Sequence, residues 1–391
     1  MRRVYFDNNA TTPVDPEVLD AMLPYFAESF GNPSSIHTPG QQARKAVEQA
    51  REQVAALIGA RAGEITFTSC GTESDNLAIR GVIFADESPR KHIITTQIEH
   101  SAVMQTCRAL GERGSEITFL PVNADGLIDL DGLHRAIRPE TLLISVMHAN
   151  NELGTVQPVV EIGRIAAEAD AYFHVDAVQS AGKIPVDVDA IGADLLAISA
   201  HKFYGPKGVA ALYARKGTRI KPILFGGKEG KSQRPGTENV AGIVGMGKAA
   251  ELALKKLQQE GERLRGLRDR LEKGLLAAVP ESRVNGGNAP RTPNTANLTF
   301  SYIEGESMVI ALDLKGIACS TGAACSSGAT EPSHVLTAIG LPAEMARGSM
   351  RFSLGRLNTE EDVDFALKAI PEAVQHLRKL SPQYKETVPA K

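Results

Sequence analysis

Seven short apolar runs, separated by helical patterns and sharp turns, constrain this chain more than any other feature. They read EITFTS, HIITTQ, EITFLPV, TLLISVMH, AYFHVD, DLLAISA and GVAALYA between Glu64 and Ala214. Before the first run, QQARKAVEQAREQVAALIGA places Ala43, Val47, Ala50, Val54 and Leu57 at three- and four-residue steps and closes on Gly59, the pattern of an amphipathic helix. Similar spacing predicts helices over SDNLAIRGVIFA, from Ser101, near Leu130 and from Pro158. Apolar strands alternating with helices indicate βαβ units. The fold class is therefore α/β, with a mostly parallel sheet covered by helices on both faces. After Asn239 a long helical stretch begins, with Leu264, Leu267, Leu271 and Leu275 on one face of its second half. It leads to TANLTFSY, SMVIALDLKG, SMRFSLG and the amphipathic TEEDVDFALKAIPEAVQHLRKL, which read as a smaller α+β domain.

The length of 391 residues suits two domains, or one large domain with a companion. A net charge of −3 provides no global field for nucleic acid or acidic lipid. No apolar run reaches the length of a membrane span, and MRRVYFDNNATTP lacks the apolar core of a secretory signal. Four cysteines without a CxxC pair form neither a disulfide framework nor a structural zinc site. Free thiols suit a reducing, cytoplasmic compartment.

Parallel sheets of this kind place ligands at the carboxyl ends of their strands, and the chemistry-bearing residues gather there. Lys202 follows the apolar run Leu195 to Ser199 and precedes Gly205, Pro206 and Gly208. A lysine held in such a turn beside a ligand can form a Schiff base; a solvated loop lysine is the alternative. Asp176 closes HVD and Gln179 follows three residues later, as a helix cap would also have it. If Lys202 carries pyridoxal phosphate, an aspartate is required opposite the ring nitrogen, where it keeps the ring protonated as an electron sink. Ser69, Gly71 and Thr72 join a strand to a helix, as a phosphate cradle does and as an ordinary cap by Thr72 or Ser74 does. His100 stands at another strand end, and Asn150 with Asn151 at a fourth, where amides orient a ligand's oxygens or make turns. Cys325 lies in ACSTGAACSSGATEPSHVL among small residues. A thiol so surrounded meets few contacts that would resist its motion. Cys70, Cys107 and Cys319 read as buried small residues, and His334 as a residue that seats the helix after the cysteine loop.

The ordered set DNNATTP, FGNPSSIH, GTESDNLAI, NNELGTVQP, HVDAVQS, SAHKFYGPKG, PGTENVAGIVG, CSTGAACSSGATEPSHVL and RFSLGR resembles the pyridoxal-phosphate-dependent cysteine desulfurases of NifS/IscS type, in the class V aminotransferase family. The resemblance runs from about Tyr5 to about Leu380. It implies fold type I of the pyridoxal enzymes. The large cofactor domain would span 13–260; the small domain would combine 1–12 with 261–391 and carry the cysteine loop at about 318–331. It also implies a homodimer that converts L-cysteine to L-alanine and leaves the sulfur as a persulfide on Cys325. An iron–sulfur scaffold, or another acceptor such as a tRNA-thiolation enzyme, would receive it. No metal, membrane or direct nucleic-acid partner is implied.

Carried over by motif, Lys202 would hold pyridoxal 5'-phosphate, Asp176 would face the ring nitrogen, His100 would stack on the ring and move protons, and Gln179 would reach the ring hydroxyl. Gly71, Thr72, Ser199 and His201 would bind the phosphate, joined by Thr237 from the other subunit. Asn151 and Arg351 would hold the substrate carboxylate. Three departures stand out. GGKEGKSQRPGTEN replaces a hairpin richer in Gln, Glu and Arg, Ala324 precedes the cysteine where many relatives have serine, and the C-terminal tail is shorter than in relatives that dock a scaffold through it. The same scaffold also supports selenocysteine lyases and aminotransferase-like enzymes, from which Cys325 in its loop separates this chain.

Overall fold

The computed structural model describes residues 2–89, 91–227, 233–322, 332–382 and 384. Cys325 and Ala324 lie outside these residues, as do 228–232 of the segment before Thr237.

Strand β1 (Val4–Tyr5) opens the chain, and seven strands then build a large sheet: β2 (Ile65–Thr68), β3 (His92–Thr96), β4 (Glu116–Leu120), β5 (Thr141–Met147), β6 (Tyr172–Asp176), β7 (Leu195–Ser199) and β8 (Ala210–Ala214). Their order is β2-β8-β7-β6-β5-β3-β4. Strands β3 to β7 pair in parallel, and β8 runs antiparallel to both its neighbours. The expected fold class, a mostly parallel sheet between helices, is the one observed. Five of the seven strands, β2, β3, β5, β7 and β8, are buried along their whole length, as strands covered on both faces must be.

The alternation of side chains divides this sheet between two cores. Ile144, Phe173, Val175, Leu196 and Ile198 face one, packed by the helices Thr38–Leu57 and Val159–Glu168. Ile93, Leu143, Leu195 and Leu212 face the other, under the helices Gly71–Ala85 and Ser101–Gly111. Gly59, at φ +67°, ends the first of these helices in the left-handed conformation glycine adopts without a steric penalty.

Beyond β8, the 39-residue helix Val240–Ala278 crosses to a third core. Its residues Leu264, Leu267, Leu271 and Leu275 meet Val4, Phe6, Leu298, Phe352 and Val363 there. This core backs a smaller antiparallel sheet of β9 (Ser282–Val284), β10 (Thr295–Phe300), β12 (Ser320–Thr321) and β13 (Ser349–Ser353), while the intervening β11 (Ile317–Ala318) pairs in parallel with β1. The chain's first residues are thus built into the structure formed by its last third. Cys107 and Cys319 are buried as expected, but Cys70 is exposed. It is the N-cap residue of the helix Gly71–Ala85, at a strand end where no core covers it. No described helix is long and apolar enough to cross a membrane.

Leu271 is fully buried where the long helix enters this third core. Leu271→Ala should cost about 2–5 kcal/mol, read as a lower urea midpoint for the apo-protein.

Candidate active site

Lys202 ends a short helical turn, Ala200–Lys202, directly after β7. Its Nζ donates to the carbonyl oxygens of Asn9 (2.6 Å) and Ala10 (2.9 Å). The same N-terminal segment fixes the lysine's backbone. Thr12 N and Oγ1 both donate to the His201 carbonyl, Tyr204 N donates to Thr12 Oγ1, and Asp15 N donates to the Tyr204 carbonyl. Tyr204 is held at φ +71°, where a non-glycine residue needs such support. Arg356 stacks on its ring at 4.2 Å and pairs with Asp15 at 2.6 Å.

Asn9, which sequence reasoning did not single out, is the hub. Its carbonyl accepts from Lys202 and from Gln179 Nε2 (3.0 Å). Its Oδ1 accepts from Lys183 Nζ (3.0 Å) and Asn294 Nδ2 (3.0 Å), and its Nδ2 donates to Thr295 Oγ1 and the Asn151 carbonyl. Lys183 was also missed. It donates to Gln179 Oε1 at 2.7 Å, which turns that amide one way round. Burial, then the charges of Lys202 and Arg351, push the Lys183 ammonium well below the ordinary lysine range.

Asp176 is the last residue of β6, beside β7, and is buried. Its Oδ1 accepts from Val178 N at 2.9 Å, closing a turn rather than a capping box, and Gln179 serves Asn9 and Lys183 instead. Burial raises the Asp176 carboxyl, against the opposing pull of His100 and Lys202. His100 caps the helix Ser101–Gly111, its Nδ1 accepting from Ala102 N at 3.1 Å. The proton of the neutral ring therefore sits on Nε2. Burial lowers its proton affinity, with Asp176 acting in the other direction. Behind His100, the fully buried Glu99 accepts from Thr96 Oγ1 and Met147 N and is pushed up to about 8 by burial.

Gly71 and Thr72 open the helix Gly71–Ala85, and no side chain among the described residues caps it. Glu73 folds back to accept from Ser69 N (2.7 Å) and Ser69 Oγ (2.5 Å), and Arg234 Nε donates to it at 2.8 Å. A Cβ at Gly71 would stand 3.0 Å from Val178 and 3.8 Å from Ser199. Ser199 Oγ is buried with no hydrogen-bond partner among the described residues. His201 Nδ1 lies 3.1 Å from Thr11 Oγ1, and burial lowers the ring to about 4. Thr237 is exposed, on the wall of a cavity it shares with Thr68, Ser69 and Arg234.

Asn150 turns out to be the turn-maker of its pair, its Oδ1 accepting from Glu152 N and Leu153 N. Asn151 and Arg351 are neighbours: Arg351 Nη1 donates to the Asn151 carbonyl (2.9 Å) and Nη2 pairs with Asp7 (2.7 Å). Arg351 is almost wholly buried on β13, beside Ser320 of β12, and its Nε has no partner among the described residues. Close by, the buried Glu152 accepts from Ser333 Oγ at 2.5 Å. Ser333 caps the helix His334–Ala338, whose first residue places Nε2 3.0 Å from the Glu99 carbonyl.

A lysine, a buried aspartate, a histidine and a bare helix N-terminus thus converge on one sheet edge, and comparison with known proteins gives the arrangement a family. The aminotransferase class-V model matches residues 4–365. The cysteine desulfurase IscS of Dictyoglomus turgidum is 53% identical over 385 residues, covering 98% of each chain. The enzyme of that name from Methanosarcina thermophila is 54% identical over 381 residues, 97% of this chain and 94% of its own. A solved NifS-like protein superposes with a TM-score of 0.89 at 40% identity, over 96% of this chain and all of the other. The chain belongs to the class-V aminotransferases, a family dependent on pyridoxal phosphate. Within it, the chain is a cysteine desulfurase, an enzyme that takes sulfur from cysteine. The residues present fit the cofactor. The unpartnered Ser199 Oγ and the uncapped N-terminus at Gly71 call for an anion. A carboxylate buried at Asp176 calls for a cationic partner.

Burial pushes Glu152 up to about 7 from 4.5. Its neutral form therefore contributes stability that is whole below about pH 4.5 and is lost as pH rises through about 7. The loss is read in urea unfolding of the apo-protein at pH 5 and pH 8, as the difference between the unaltered protein and Glu152→Gln. The variant should lack about 3 kcal/mol of decline between the two pH values, while Glu99, of the same sign, and the buried histidines His174 and His201, of opposite sign, contribute equally to both proteins and cancel.

Proposed function

We propose that the reaction runs through pyridoxal 5'-phosphate bound at Lys202, with transfer of the substrate's sulfur to Cys325. The observation that supports this most is the pairing of β6 with β7, which brings Asp176 and Lys202 to one edge beside His100. Gly71, Thr72, Ser199 and His201 would hold the phosphate, with Thr237 of a second subunit. Gln179, locked by Lys183 and Asn9, would serve the ring hydroxyl. When bound, the cofactor supplies an electron sink for the charge left by removal of the substrate's Cα proton.

The chain's own residues do the rest. Arg351 and Asn151 orient the substrate carboxylate, for which Arg351 exchanges part of its pairing with Asp7. The amine of Lys202 takes the Cα proton. His100 carries protons at Nε2, the ring nitrogen left free by its cap. Cys325, as a thiolate, forms a bond to the substrate's sulfur as the Cβ–S bond breaks. The products are L-alanine and a Cys325 persulfide, and the atoms of cysteine and one thiol are all accounted for.

The chain works as a homodimer in the cytoplasm. Residues 13–260 form its cofactor domain, and 1–12 with 261–391 form the small domain. The persulfide passes to an iron–sulfur scaffold or another sulfur acceptor.

Incubation with L-cysteine should form alanine in step with a persulfide located by mass on Cys325. Cys325→Ser should keep the bound cofactor's colour and bind cysteine, yet release no sulfide. Lys202→Ala should lose at least about a hundredfold in turnover. Full sulfide release by Cys325→Ser would remove the persulfide route.

A further inference from the structure

Beneath the site lies a set of buried polar groups that this reaction does not use. Asp75 is the fifth residue of the helix Gly71–Ala85, one turn in from Gly71 and Thr72, and is almost fully buried. His174 lies on β6 two residues before Asp176, so the two project from the same face of the sheet. His174 has no exposure at all. Asp75 Oδ1 stands 3.5 Å from His174 Nε2, and neither atom has a hydrogen-bond partner among the described residues. On the far side of the ring, His174 Nδ1 lies 2.9 Å from Ser145 Oγ on the neighbouring strand β5.

Two unsatisfied buried atoms facing each other are costly, and one proton between them removes both costs. An ion pair is the less favourable way to supply it. The ionisable groups that act on Asp75 are Asp176, Glu99 and Cys70, and each would oppose a further negative charge beside it. Burial, then these neighbours, push the Asp75 carboxyl well above the usual range, and burial lowers His174 to about 3. The neutral arrangement has Asp75 O–H donating to His174 Nε2 and His174 Nδ1–H donating to Ser145 Oγ.

We propose that Asp75, His174 and Ser145 form a neutral, proton-bridged tie that sets the helix Gly71–Ala85 against β6, fixing the spacing between the phosphate end and the ring-nitrogen end of the cofactor site. The inference rests on the reading of Gly71, Thr72 and Asp176 given above. Asp75 is one helical turn from the phosphate end, and His174 is one strand repeat from the carboxylate that meets the ring. A ligand held at both ends binds better when the spacing is set in advance. Asp75 and His174 are positioning residues that touch neither substrate nor cofactor.

Two measurements test this. In the apo-protein, ¹⁵N NMR of His174, assigned with a His174→Gln variant, should show a neutral ring protonated on Nδ1 from pH 6 to 8. An imidazolium, or a neutral ring protonated on Nε2, overturns the tie. The second measurement is equilibrium binding of pyridoxal 5'-phosphate and of pyridoxal, which lacks the phosphate. Asp75→Asn keeps a donor toward His174 and should bind the phosphate ester within about threefold of the unaltered protein. Asp75→Leu should bind it about tenfold more weakly while its affinity for pyridoxal barely changes. Equal weakening toward both ligands, or an Asn variant no better than the Leu variant, overturns the proposal. An unaltered protein that binds no pyridoxal 5'-phosphate would overturn the cofactor reading instead, and the NMR result would still decide the tie.

Discussion

Asn9 is the point through which the two halves of this molecule are joined. Its main-chain oxygen receives Lys202 and Gln179, its side-chain oxygen receives Lys183 and Asn294, and its side-chain nitrogen reaches Thr295 and the Asn151 carbonyl. Ser353 Oγ takes up its N–H. One residue from the N-terminus thereby contacts β10, β13, the turn after β6 and the turn after β7. Every capacity of the side chain is used, so no other side chain of its size could satisfy these partners together.

Around that joint, the site concentrates charge in a place that water barely reaches. Asp75, Glu99 and Asp176 are all buried, and burial raises each of them. Like charges in a medium of low polarizability do not all ionise. Asp176 is favoured as the anion, because Val178 N, His100 and Lys202 all stabilise its charged form. Glu99 accepts hydrogen bonds from Thr96 and Met147, and Asp75 Oδ1 has no hydrogen-bond partner among the described residues, with His174 Nε2 3.5 Å away. Of the three, Asp176 is the one on which a lysine acts, Lys202 following the neighbouring strand β7. The helices that cover the sheet are therefore electrical insulation as well as packing.

Much of this was legible in the sequence. The strands announce themselves as unbroken apolar runs, and in a parallel sheet whatever polar residue follows a strand faces the ligand edge. That rule brought Lys202, Asp176, His100 and Asn151 into view. It did not separate Asn151 from Asn150, because both follow β5 and only the folded chain shows Asn150 tied up in its own turn. It also misjudged Cys70, which local composition made look like a core residue. Asn9 stayed hidden because its partners lie from 142 to 344 residues away, and no local pattern marks such a residue. Lys183 and Asp75 looked like ordinary polar positions on helical or turn segments. Only tertiary burial sets them apart.

Tyr204 carries a last consequence. Its left-handed backbone, two residues after the lysine, is tolerated because Thr12 and Asp15 grip it from one terminus and Arg356 from the other. The turn that carries the lysine is thus held from both sides, by Thr12 and Asp15 near the start of the chain and by Arg356 beyond β13. The direction of this amine is therefore a property of the finished fold, set by residues that lie at opposite ends of the chain and not by any local segment.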